Sequence, residues 1–223
     1  MNALTRPIAV AVGLLGVAVA MPGSSAAQDL DAACRAIGGS SPGAWTQHTI
    51  KGPNGNIDMR FALVADRGAT WYEIKAGTPQ GESIVQMEVP GFPFTPDQIR
   101  RVVMKNGSGP ALRLPDSMVD QYKSMAEAGP LTDIEAQCRT AEVVGEERID
   151  VGAGSFMTTH LRFPGSGGEV WVSEEVPFGI VRGVAPGQGT MELTAHGTGA
   201  TSAITETPFA LPATGGANAS GSP

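Results

Sequence analysis

Residues 44–89, AWTQHTIKGPNGNIDMRFALVADRGATWYEIKAGTPQGESIVQMEV, decide the fold. Runs of alternating and β-branched residues at Ala44–Lys51, Ile57–Ala65, Thr70–Ala76 and Glu82–Val89 are parted by Pro53-Asn54-Gly55-Asn56, Asp66-Arg67-Gly68 and Thr78-Pro79-Gln80-Gly81. Asn-Gly between two such runs is a strong hairpin signal, because the favoured tight turn needs positive φ at both central residues. The stretch predicts a four-stranded antiparallel meander.

The same grammar returns from Glu142. Strands are expected at Glu142–Val151, Ser155–Phe163, Glu169–Glu175, Phe178–Ala185, Thr190–His196 and Ala200–Thr205, with Gly- and Pro-bearing connectors between them. Met157, Thr159, Leu161 and Phe163 share one face of their strand and His160 and Arg162 the other; Met191, Leu193 and Ala195 alternate likewise with Glu192, Thr194 and His196. Such alternation marks strands with one dry and one wet face. Between the two β regions the period changes. Thr95-Pro96-Asp97-Gln98 supplies an N-cap, a proline at the first helical position and a capping-box glutamine ahead of Ile99, Val102 and Val103, predicting a helix that Gly107 ends. Asp116–Glu127 sets Met118, Val119, Tyr122, Met125 and Ala126 on one helical face, and Asp29–Ile37 is a third short helix, stopped by Gly38-Gly39.

Composition sets the outer limits. The chain has 223 residues and net charge −7, with 15 Lys and Arg against 22 Asp and Glu, and only 5% of it is aromatic. Such a chain has no charge source for neutralising phosphates and few rings for stacking on bases, so no nucleic-acid partner is expected. Residues 1–27 read as a secretory signal peptide: Arg6, an apolar run from Ile8 to Met21, the break at Pro22-Gly23, and small residues Ser25-Ala26-Ala27. The run falls short of the roughly 20 residues of a membrane-spanning helix, and no other segment approaches that length, so no transmembrane anchor is expected. Cys34 follows Asp31-Ala32-Ala33 well beyond the run and does not form a lipoprotein acylation site. Cleavage after about Ala27 implies a periplasmic or secreted protein. In an oxidising compartment the chain's two cysteines predict a disulfide, Cys34 to Cys138. Residues 28–206 then form a single β-rich domain, and 207–223, uncharged and rich in Pro, Gly, Ala and Ser, a disordered low-complexity tail. Within that tail Leu211-Pro212-Ala213-Thr214-Gly215 imitates a sortase signal without the hydrophobic segment and basic end that should follow.

The segments Val144-Gly145-Glu146-Glu147, Val151-Gly152-Ala153-Gly154-Ser155-Phe156, Glu169-Val170-Trp171-Val172-Ser173 and Val176-Pro177-Phe178-Gly179-Ile180-Val181 together resemble a pattern of exported bacterial proteins similar in plan to the LolA/LolB lipoprotein-carrier type. The resemblance implies a mainly β fold with short helices, an open antiparallel half-barrel with the helices against its concave face. It also implies a hydrophobic ligand, a lipid or a lipoprotein acyl chain, held on that face. No binding residue of the carrier type maps onto a numbered position here.

Motifs for chemistry are sparse. Gly39-Ser40-Ser41-Pro42-Gly43 matches a nucleophile elbow in form, but Pro42 has no N–H to give an oxyanion hole, and no strand precedes it. His48, His160 and His196, with Glu192 beside His196, make a metal-dependent hydrolase thinkable, yet no spacing fixes two ligands on one element. Glu146-Glu147 and Glu174-Glu175 put their members on opposite strand faces, unsuited to acid/base work. No P-loop or complete G-x-G-x-x-G occurs, and no cofactor is implied. Soft apolar side chains remain, seven of the nine methionines lying beyond the leader. The expectation is therefore an exported, non-enzymatic protein lined for its ligand by Met87, Met118, Met125, Met157, Trp171 and Phe178. The alternatives are an envelope-structural or protein-interaction module with a fully packed core, and the hydrolase.

Overall fold

The computed structural model describes residues 26–53, 55–78, 81–127 and 134–211. Helix α1 (Ala26–Gly38) precedes the first meander, β1 (Trp45–Gly52), β2 (Gly55–Asp66), β3 (Ala69–Thr78), β4 (Gly81–Val89), β5 (Arg101–Asn106) and β6 (Leu112–Arg113). Helices α2 (Asp116–Glu127) and α3 (Ile134–Arg139) lead to the second, β7 (Glu142–Val151), β8 (Gly154–Phe163), β9 (Gly168–Val172), β10 (Ile180–Ala185) and β11 (Gly189–Gly197), and β12 (Phe209–Ala210) closes the series. All twelve strands form one sheet in the order β12-β6-β5-β4-β3-β2-β1-β11-β10-β9-β8-β7. The chain thus starts mid-sheet, works outward to β6, crosses through α2 and α3 to the far edge, and works back until β11 pairs antiparallel with β1. The two edges do not pair, so the sheet is open, as the sequence predicted. It curls within the second meander, where Ala153 at the β7–β8 turn donates its N–H to Leu193 O of β11 at 3.2 Å.

Turn chemistry explains the registers. The β2–β3 hairpin closes on Arg67 and Gly68, both at positive φ (50° and 78°), the conformation of a tight primed turn. At the start of β11, Gly189 has φ +130°, and a Cβ there would lie 2.1 Å from Lys51 O; only glycine lets β11 lie against the end of β1.

Directly opposed residues in a ladder share a face. On one face Leu63, Tyr72, Met87 and Val102 form a row across β2 to β5, closed over by Val119 of α2. The same face of the second meander carries Leu161, Val170 and Val172 beneath Ala33, Cys34 and Ile37 of α1. The Cys34–Cys138 disulfide ties α1 to α3 above this second core. The opposite face holds a smaller core of Trp71, Ile84, Val103, Ala111 and Ile204.

Several expectations are corrected. No helix follows Thr95: only a 3-10 turn, Pro96–Gln98, forms, and Arg101–Asn106 is a strand. The Gln98 side chain does accept from Thr95 N–H at 3.0 Å, as a capping box requires, but Val102 and Val103 then bury on opposite faces of a sandwiched strand, and the resulting apolar run mimics helical spacing. Ala200–Thr205 is not a strand. The segment instead crosses the face opposite the helices, held where Ala203 N–H donates to Glu73 Oε2 (3.0 Å) and Gln86 Nε2 to Ser202 Oγ (2.7 Å). Strands β9 and β10 are shorter than expected. Residues 173–179 form a reversal with Phe178 at φ 59°, closed where Ser173 N–H donates to Gly179 O. Helix α3 and strands β6 and β12 were not foreseen, and Phe209–Ala210 takes part of the expected tail into the sheet, parallel to β6. Residues 212–223 of that tail and the leader up to residue 25 lie outside the described residues.

Candidate functional site

One cross-strand row runs through both meanders on the helical face: Ile57, Ile50, Met191, Gly183, Val170, Leu161 and Val143, each opposite the next. Its β8–β9 end is dry, with Leu161 and Val170 under α1. Its β1–β2 end is uncovered. Ile50 and Met191 are half-buried, and Ile57 is 38% exposed. Where the cover stops, Gly183 leaves a gap in the row, and a groove of about 420 Å³ opens there, lined by Ile50, Phe163, Gly183, Val184, Ala185 and Met191, with Glu169 and Gln188 at its margin. Its volume falls within the roughly 300–1,000 Å³ of small-molecule sites.

His48, two residues before Ile50 on the same face, is buried and does not line the groove. Its Nε2 lies 3.0 Å from Ile180 O, so that nitrogen carries the proton, and its ring meets Phe61 edge-on at 5.8 Å. Burial holds its pKa below 6.5, outweighing the upward pull of the carbonyl, and the imidazole is neutral. Beyond it, Tyr72 packs among Phe61, Phe92, Phe94 and Phe178. Burial pushes the Tyr72 phenol far above its ordinary value, and that of Tyr122 upward too.

The six expected lining residues do not converge on this groove. Met87 and Phe178 are 4% and 7% exposed in the packed aromatic core. Met118 and Met125 on α2 face solvent at 40% and 60%. Met157, 44% exposed, edges a different cleft of about 340 Å³ between α1 and β8–β9, whose other walls include Asp29, Glu146, Glu174 and Glu175 and are too acidic for an acyl chain. Trp171 points to the opposite face, where it stacks on His160 at 4.2 Å and donates Nε1–H to Glu147 at 2.6 Å.

The histidines are also dispersed. His160 sits between Glu147 (3.3 Å) and Glu169 (3.5 Å) on the face away from His48, and His196 lies against Phe156. Among the described residues no three His, Cys, Asp or Glu side chains are grouped to hold a metal ion. No described helix is long and apolar enough to cross a membrane.

No protein-family model and no curated protein matches the chain. Among solved structures it is similar to MucB, at 15% identity and a TM-score of 0.46, over 80% of this chain and 60% of that one. It is similar too to MucB in complex with MucA(peri), at 13% identity and 0.45 over 82% and 59%, and to the MucA/MucB complex of Pseudomonas aeruginosa, at 15% and 0.40 over 80% and 58%. The chain therefore spans about three fifths of the length of these structures. At such scores the likeness carries no argument about ligand or partner.

Proposed function

We propose that this is an exported, non-enzymatic binding protein of the lipoprotein-carrier type, which holds a hydrophobic ligand, a lipid or a lipoprotein acyl chain, in the groove beside Gly183. The observation that carries the reading is the apolar row that continues past its helical cover into Met191, Ile50 and Ile57. Burial of an acyl chain there removes apolar surface from water at about 25 cal/mol per Å². Export is supported by the leader-like N-terminus and by the Cys34–Cys138 bond, since such bonds persist in oxidising compartments.

Native mass spectrometry of the purified protein tests the proposal. The expected result is a retained lipid-sized adduct that organic extraction removes; purified protein that carries none and takes up none from lipid vesicles overturns it. A second reading, a protein-interaction module with a packed core, is favoured by the closely packed Met87, Tyr72 and Phe178 under α2.

A further inference from the structure

All three tryptophans of the chain lie on the face opposite the helices, each with an arginine guanidinium over its ring: Arg60 on Trp45 (4.8 Å), Arg101 on Trp71 (5.2 Å) and Arg182 on Trp171 (5.2 Å). Around Trp71 a pocket forms. It measures about 220 Å³, and its apolar wall is Trp71, Val103 and Ile204, which pack as one buried cluster. Arg67, Arg101 and Arg113 line it against a single acidic side chain, Asp66, in a chain whose net charge is −7.

The arginines differ in what they already hold. Arg101 pairs with Glu88. Arg67 pairs with Asp66 at 3.5 Å and donates to Thr205 O and Glu206 O at 3.3 and 3.4 Å. The Arg113 side chain, exposed on β6, has no hydrogen-bond or ion-pair partner among the described residues, although its carbonyl accepts from Leu211 N–H, and the residue also borders the neighbouring cleft at α2. A second group is unmatched: Trp71 Nε1 is buried and has no acceptor. The indole nitrogen only donates, and a buried donor left unpaired is costly. The pocket thus presents an aromatic and aliphatic wall and one positive charge without a partner, with the unpaired indole N–H buried behind that wall.

We propose that this pocket is a second binding site, distinct from the groove, for a small monocarboxylate whose apolar part lies against Trp71, Val103 and Ile204 and whose carboxylate is neutralised by Arg113. One free guanidinium calls for a monoanion rather than a phosphate dianion, and its planar fork matches a carboxylate. The volume, below the range typical of drug-sized ligands, suits an acid of about amino-acid size. Two sources share this chemistry, a free acyl amino acid and the C-terminal residue of a polypeptide.

The test is titration of the ¹⁵N-labelled full chain, disulfide intact, with N-acetyl-leucine, N-acetyl-leucine amide and the tripeptide Ala-Ala-Leu as the free acid. The Trp71 indole N–H is read against those of Trp45 and Trp171. N-acetyl-leucine is expected to shift Trp71 alone, with the amide about tenfold weaker or more. Arg113→Gln is expected to weaken acid binding about tenfold at unchanged melting temperature, and Arg113→Lys to restore part of it. A response to the tripeptide but not to N-acetyl-leucine supports the site with a polypeptide C-terminus as its source. No Trp71 shift with either acid, equal binding of acid and amide, or an Arg113→Gln variant that binds as the parent does overturns the proposal.

Discussion

Replacing both cysteines by alanine, Cys34→Ala with Cys138→Ala, is the most quantitative perturbation of the fold. The bond spans 104 residues, and for a loop of about 100 residues the chain-entropy relation gives about 4.7 kcal/mol lost when the denatured chain is released. A native-state cost adds to this. Cys34 and Cys138 are 5% and 1% exposed within the core under α1, so deleting each sulfur leaves a gap of about a methyl group, at ~1 kcal/mol apiece. Together these terms reach about 7 kcal/mol, but removal of a natural disulfide costs about 2–5 kcal/mol, so a loss at the upper end of that range, about 5, is expected, a large share of the ~5–15 kcal/mol of a typical domain. At roughly 2–4 °C per kcal/mol for a chain of this size, the melting temperature should fall by about 10–20 °C. Urea unfolding followed by circular dichroism measures the loss, and the m-value should rise as the denatured chain expands. Parent protein assayed in reductant should behave like the variant. A loss below about 1 kcal/mol at unchanged m refutes the reasoning, since α1 and α3 would then be held by packing alone.

Glu73 is buried and accepts from Gln86 Nε2 at 2.7 Å and Ala203 N–H at 3.0 Å, so Glu73→Ala should cost about 2–4 kcal/mol in urea unfolding, while Glu82→Ala, which breaks only the exposed pair with Lys75, should cost less than about 0.5. For His48 the folded pKa is lowered, so below 6.5 the unfolded chain binds the extra proton and stability falls with acidification, at up to ~1.4 kcal/mol per pH unit. The effect is absent above 6.5 and ends below the lowered folded value; denaturation from pH 7.5 downward should show this slope in the parent and not in His48→Gln. Met118→Ser and Met125→Ser, both at exposed positions on α2, should change stability by less than about 0.5 kcal/mol and leave binding of a fluorescent fatty acid unaltered.

The hairpins of residues 44–89 and the disulfide could be read directly, because turn chemistry and cysteine pairing in an oxidising compartment are local or categorical signals. Strand β5 could not. Val102 faces α2 and Val103 the Trp71 core, and a strand buried on both sides loses the alternation that identifies it. Trp171, expected to line the ligand, has parity with Glu169 against Val170 and Val172, which puts it on the polar face. The groove depends on the pairing of β1 with β11, which brings Ile50 beside Met191 from opposite ends of the chain. A glycine within a strand is the one sequence feature that marks the place, and only the structure says why it is there. Gly183 interrupts the strand Ile180–Ala185 at a position with no positive φ, so its missing side chain serves space rather than backbone conformation.

Gly183→Leu therefore tests the central claim most directly. A Cβ at residue 183 would meet Met191 Cε at 3.7 Å and Glu169 O at 4.0 Å, ordinary contacts, so the leucine should fill the groove without disturbing the ladder. Titration of a fluorescent fatty-acid analogue into parent and variant of equal melting temperature should show saturable binding to the parent and affinity lower by about tenfold or more in Gly183→Leu. A parent that does not bind the analogue, or a variant that binds it equally well, contradicts the account.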